Sequence, residues 1–297
     1  MAPNERLANF AEQMMNIVDC KSDTFSEQLM SEVYSDIHGN IILFVGSIWA
    51  DNTYAVGTEW REEAEDYLLP RLNLDPSILD QLGASYVAKR IIWNLGLQYE
   101  LQRLIFDRPY PVGVTSEDEY LFEEAPQDTQ YTVDGLAWRS EAIREFMSSR
   151  RFQEQQFEAF NELVEEIDVG HDRYFPDRLD VATTDIHLYK DIFKNRIIYA
   201  SIKLHQAMRC TKNKYGIRRL RVPANGDHRS LNDGAFFDAR NMEPLHVDDV
   251  SEHAVVVLCI IPVIMGLPDY QVTYPGWVVR VPEPSEPTDS SPAFSDE

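Results

Sequence analysis

Imidazole and carboxylate groups gather in one stretch of the chain, His246-x-Asp248-Asp249-x-x-x-His253, and that mixture is a donor set that zinc, iron or manganese accepts. A divalent metal held by His246, Asp248 and His253 would make the chain a metal-dependent enzyme. The plainer account is a loop of Asp and His that caps the strand after it. A second kind of chemistry lies just upstream: residues 190–221 hold ten Lys and Arg against one acid, so this segment carries +9 while the rest of the chain carries −32. Arg209, Lys212, Lys214, Arg218, Arg219 and Arg221, beside His205 and Tyr215, are groups that contact phosphate and stack on bases, which defines a nucleic-acid or anion surface. The same cations also suit a helix C-terminus, and pairing with acidic loops or with a second subunit. At about 100° per residue the basic positions of a helix here do not share one face, which favours pairing over groove reading.

Asp36-Ile37-His38-Gly39-Asn40 resembles the opening motif of calcineurin-like metallophosphoesterases, and the resemblance implies a carboxylate (Asp36) and an imidazole (His38) on a two-metal centre. It covers five residues. Ser31 to Ser35 is not the apolar strand that should precede the motif, and the later motifs of that family are missing. The run is therefore read as a Gly-Asn turn that ends a helix. The His246-x-Asp248 pair is similar to the facial triad of non-haem iron oxygenases, but the triad's distal histidine sits far downstream, whereas His253 follows seven residues on. Phosphate-binding glycine loops, the nucleophile-elbow serine and the His-Glu-x-x-His zinc motif are all missing. Cys20, Cys210 and Cys259 are too few and too scattered for a disulfide framework, and Cys259 sits in an apolar run where it reads as a small buried hydrophobe.

The elements that must position these groups are mostly helical. Apolar spacing predicts helices from Glu5 to Val18 with Asn4 as cap and from Ser26 to a break at His38-Gly39-Asn40; the apolar run Ile41 to Ala50 suits a buried helix or a buried strand, and the helices around it favour helix. Further helices are expected at Thr58 to Leu69, interrupted by Pro70, after the Asp75-Pro76 start, and over Ala84 to Phe106. Residues 107–134 lose the period and form an acidic connection, in which Tyr120, Leu121 and Phe122 must pack on the body or dock a partner. The helical period returns from Leu136 to Ile167, closed by Gly170. It recurs from Thr184 to Lys212, with apolar residues on so many sides that this helix should be central. Ala254 to Met265 and Gln271 to Val281 read as two strands, restricted by Pro262, Pro268 and Pro275 to edge, bulged or short forms. The fold class expected is mainly α (α+β), a helical core with a small C-terminal β element. Its regions are 1–106, a connection at 107–134, a helical and β region at 135–281 packed with the first as one domain, and a disordered acidic tail at 282–297.

A chain of 297 residues with 44% apolar side chains can bury a substantial core. Its net charge of −23 argues against a surface that grips phosphate or an anionic bilayer everywhere, and leaves room for one local basic face. Neither a membrane-spanning run nor a secretory signal is seen, so the expectation is a soluble protein of cytoplasm or nucleus without membrane contact. The expected function is non-catalytic: a regulatory or assembly protein acting through charged surfaces on a protein partner or on itself, with no cofactor. The alternatives are the metal-dependent enzyme and the nucleic-acid-associated protein described above.

Overall fold

The structure, a computed structural model, describes residues 27–48, 61–62, 64–72, 74, 76–82, 86–123, 133–174, 191–211, 214–218, 242–244, 255–261, 263–267, 271–274 and 276–281. Helices dominate it, as the periodicity requires. The expected helix at Glu5 to Val18 and the tail at 282–297 lie outside the described residues.

Helix α1 (Glu27–Ile48) runs straight through His38-Gly39-Asn40, where a break was expected. Its buried stripe explains why: Met30, Tyr34, Ile37, His38, Ile41, Phe44 and Val45 recur at helical spacing and all enter the core. Packing of that stripe outweighs the weak helix propensity of one glycine. Gly39 sits on the outer face, and the Asn40 amide donates to the Asp36 carbonyl at 2.7 Å, within the helix rather than as a cap. A Cβ at Gly39 would meet nothing within 4 Å. Gly39→Ala should therefore raise unfolding free energy by about 0.5–1 kcal/mol in urea titration, and a destabilised variant would contradict the continuous helix.

A π-helical turn (Ala64–Leu68) leads into α2 (Leu69–Leu72), which contains the Pro70 expected to interrupt it. Proline is tolerated there because it occupies an early position of the new helical register, where its missing N–H costs little. Helix α3 (Ser77–Leu82) follows Pro76, and α4 (Tyr86–Leu101) continues as a π-helical turn to Phe106. Short α5 (Tyr120–Glu123) ends the described part of the acidic connection.

The stretch read as one helical period is two helices, α6 (Val133–Met147) and α7 (Arg150–Tyr174). Ser149 separates them as an N-cap: its Oγ accepts from the Phe152 N–H at 3.1 Å. Helix α7 passes Gly170 without stopping. Its inner face carries Phe152, Gln156, Phe160, Leu163, Val164 and Ile167, and its outer face is acidic.

At the centre lies a rod made of a π-helical segment (Ile192–Tyr199) and α8 (Ala200–Cys210). Every residue from Ser201 to Met208 is buried, so α8 is covered on all sides over that span. Phe44 of α1 stacks on Phe193 with ring centroids 5.2 Å apart, and Phe160 of α7 meets Tyr199 edge-on at 6.0 Å. These contacts join the helices into one large core. A second, smaller core of Tyr110, Phe122, Ile143, Met147, Phe152 and Cys210 closes the far end of the rod.

Among the described residues six short strands follow: β1 (Lys214–Arg218), β2 (Met242–Pro244), β3 (Val255–Ile261), β4 (Val263–Leu267), β5 (Gln271–Tyr274) and β6 (Gly276–Val281). They pair as β1-β4-β5 and β2-β6-β3, and only β2 with β6 is parallel. The two apolar runs read as two strands each hold two, β3 and β4 in the first and β5 and β6 in the second. Tyr215, Ile217 and Ile264 connect the strands to the main core.

Candidate functional site

Several of the buried and half-buried polar groups of the helical body recur at helical spacing on the rod and on α4. Ser201, His205 and Arg209 recur every fourth residue on one side of α8, as Asn94, Gln98 and Gln102 do along α4 and its extension. Gln98 Nε2 and His38 Nδ1 meet at 2.7 Å between α4 and α1. The edge of Tyr34 lies against the His38 ring at 4.2 Å. His38 is 1% exposed, and burial pushes its imidazole down to about 3, so it is neutral at neutral pH.

His205 is also fully buried and held down to about 3, by burial first and then by the charge of Arg209; a hydrogen bond with the Arg108 carbonyl works the other way, against a smaller effect of the Arg108 charge. Its Nε2 lies 3.0 Å from the Arg108 carbonyl and 3.0 Å from Arg209 Nε. One nitrogen cannot donate to the carbonyl and accept from the guanidinium at once, so either neutral tautomer satisfies only one of these contacts. A protonated ring would face two guanidinium groups. Arg209 also donates through Nη2 to the carbonyls of Arg108, at 2.7 Å, and Phe106, at 3.4 Å. It ties the end of the α4 extension to the rod.

Arg209 and the two groups expected beside it therefore turn inward. Arg209 spends its donors on internal carbonyls, and His205 and Tyr215, expected beside it as base-stacking groups, are buried. Asp36 and His38 lie two positions apart on one helix and diverge, Asp36 into solvent and His38 into the core. The structure does not bring them together. Lys214 and Arg218 fall on β1, whereas Lys212, Arg219, Arg221, His246, Asp248 and His253 lie outside the described residues. Among the described residues no group of three His, Cys, Asp or Glu side chains converges as a metal site.

Lys203 is buried beside the Tyr199 ring, with Nζ 3.8 Å from its centroid, and burial pulls its ammonium down to about 8. Cys210 is a buried thiol against Met147, with Sγ and Sδ 3.6 Å apart. Neither stands at the surface.

The described part of the acidic connection, 107–123, is held by contacts of its own. Asp118 is fully buried and accepts from the Thr115 hydroxyl at 2.7 Å, the Thr115 N–H at 3.3 Å and Gln155 at 3.2 Å, and it pairs with Arg151 at 2.7 Å. Burial alone would push its carboxyl up; Thr115, Arg151 and Gln155 outweigh it and hold the carboxyl below the usual range. Phe122 packs inward between Tyr110, at 5.3 Å, and Phe146 of α6, at 5.6 Å. Tyr120 and Leu121 turn outward, 56% and 37% exposed, and Trp138 of α6 is 42% exposed. Arg139, the next residue, caps the Tyr110 ring at 4.9 Å. Near them in the chain, Glu117, Glu141 and Glu145 are exposed and Glu119 is half-buried. None of the four makes an ion pair among the described residues.

Sequence reasoning found Tyr120, Leu121 and Phe122 as a packing or docking group but missed Trp138, whose place on the Trp138, Ala142, Phe146 stripe at i, i+4 and i+8 was legible. It also missed the Asp118 clasp, for which Thr115 three residues before Asp118 was the local signal. No family model, curated protein or solved structure matches the chain. Among the described residues no helix is long and apolar enough to cross a membrane.

Proposed function

We propose that the chain is a non-catalytic regulatory or assembly protein of the cytoplasm or nucleus, a helical body with a small C-terminal β element, working through its surfaces. The observation that carries this is the exposure of Tyr120 and Leu121 on α5 and of Trp138 on α6, two helices in contact with each other. Two exposed aromatic side chains and a leucine around a folded connection are the composition of an interface centre, with charged residues as its rim. The buried ionisable groups, by contrast, serve the fold: His38 meets Gln98, Arg209 binds carbonyls, and Asp118 holds its own loop.

Affinity capture with the full chain tests this reading. Wild type should retain a protein partner that the Tyr120→Ser/Trp138→Ser variant loses, while the two forms melt alike. Capture of the same proteins by both would remove this surface from the function.

A further inference from the structure

We propose that Arg108, Arg139 and Arg209 form a binding site for a phosphate-bearing anion, at the turn where the extension of α4 ends. The site does not depend on what Tyr120, Leu121 and Trp138 contact.

Three elements bring these guanidinium groups to one place. Arg209 comes from α8 and donates through Nη2 to the Arg108 carbonyl at 2.7 Å. Arg139 comes from α6 and donates through Nη2 to the carbonyl of the next residue, Pro109, at 3.3 Å. Carbonyl oxygens of consecutive residues lie within about 5 Å of each other, so the two forks are neighbours. Arg108 belongs to the turn itself, and its Nε donates to the Leu104 carbonyl at 2.7 Å. The buried Tyr110 ring, 4.9 Å from Arg139 Cζ, holds that guanidinium in place. Asp107 and Pro109 are exposed and the three arginines are half-buried, so the turn meets solvent.

Acids outnumber bases by 50 to 27 in this chain, yet none of the three arginines makes an ion pair among the described residues. Burial, and after it the charge of Arg139, hold Arg209 below its ordinary value, against the charge of Asp107, which takes the Gln102 amide as its own partner. Closing the end of a helical segment explains the carbonyl contacts but leaves the charges uncompensated. Half-buried like charges side by side are unfavourable, and an anion among them relieves that. Donors remain for it among the described residues: Nη1 and Nη2 of Arg108, Nε and Nη1 of Arg139, and Nη1 of Arg209, whose other nitrogens are engaged by the protein.

The number of forks selects the ligand. A carboxylate has two oxygens in one plane and fills a single fork, whereas a tetrahedral phosphate presents oxygens to forks arriving from three elements. Three guanidinium groups against Asp107 leave two positive charges, which a phosphate carrying about −1.5 to −2 balances.

Isothermal titration calorimetry of the full chain with inorganic phosphate, at neutral pH and about 0.05 M sodium chloride, tests the site. Wild type should bind phosphate with Kd below about 1 mM. Arg108→Gln and Arg139→Gln should each weaken binding by about tenfold, and Arg139→Lys, which keeps the charge without the fork, should recover only part of the loss. Thermal melts give a second readout that survives any change in basal stability: about 5 mM phosphate should raise Tm over chloride of equal ionic strength in wild type and leave Arg108→Gln/Arg139→Gln unmoved. Phenyl phosphate distinguishes the source, since binding tighter than that of inorganic phosphate assigns the site to an organic phosphomonoester, and weaker binding assigns it to free phosphate. No binding by folded wild type would overturn the proposal, as would equal binding by the folded double variant or acetate bound as tightly as phosphate.

Discussion

Gly113→Ala is expected to lower the unfolding free energy by about 4 kcal/mol, the largest single-methyl effect in the described body. Two costs add. Gly113 sits at φ 105°, a left-handed conformation that a residue with Cβ adopts only under strain. It is the third residue of a turn closed by the Val114 N–H donating to the Pro111 carbonyl at 3.1 Å, and such a turn needs glycine at that position. The added Cβ would also lie 2.9 Å from both Cα and Cβ of Gln156 in α7. Backbone cannot move aside as a flexible side chain would. The turn is further pinned because Gln156 Nε2 donates to the Val112 carbonyl at 3.3 Å, and Val112 is fully buried. Urea titration of the variant measures the loss. Gln156→Ala keeps the Cβ, so it should not rescue Gly113→Ala in the double variant. A loss below about 1 kcal/mol would mean that the turn does not lie against α7 as described.

This glycine and Gly39 show what a sequence does and does not expose. Both precede or sit among ordinary helix-breaking residues, yet one lies on a solvent face where alanine is welcome and the other against a backbone, where it is not. The difference is tertiary. Helix existence was legible because buried stripes such as Tyr34, Ile37, Ile41 and Phe44 repeat at 3.6 residues, and the all-round apolar pattern of Ile192 to Met208 correctly marked a central rod. Helix ends were less legible. Gly170 and His38-Gly39-Asn40 look like stops, but packing carries the chain through them, whereas the true boundary at Ser149 rests on one side-chain hydrogen bond.

The candidate site was legible only as composition. The contrast between a basic segment and an acidic remainder is plain in the sequence, but which cations face water depends on the rotation of the rod, which sends Lys203 and Arg209 inward and Lys194 and Arg196 outward. The acidic connection showed a similar split: Phe122 and Asp118 turn in, Tyr120 and Leu121 turn out. Alternation over so few residues cannot be read without the surface they pack on.

Acidification from pH 7 to pH 5 should cost about 4 kcal/mol of stability, through His38 and His205 alone. Both imidazoles are held down to about 3 in the folded protein, against an ordinary value of 6.5. The unfolded chain therefore takes up protons first as pH falls below 6.5, and stability declines from there until the folded groups protonate near 3. Each group contributes about 2 kcal/mol at pH 5. Over this window Asp118 works at lower pH, since its carboxyl is held below the usual range and its contribution is lost only as that carboxyl protonates. Relief of the chain's own negative charge acts in the opposite direction, but most carboxylates release it below pH 5. Urea titrations at pH 7, 6 and 5 should show a slope approaching about 2.7 kcal/mol per pH unit between 6 and 5. His38→Phe should lower stability at pH 7, by stranding Gln98, yet halve that slope, because only His205 still resists protonation. A slope unchanged by His38→Phe would remove His38 from the acid response, and a flat profile in wild type would mean that neither imidazole is buried as a neutral ring.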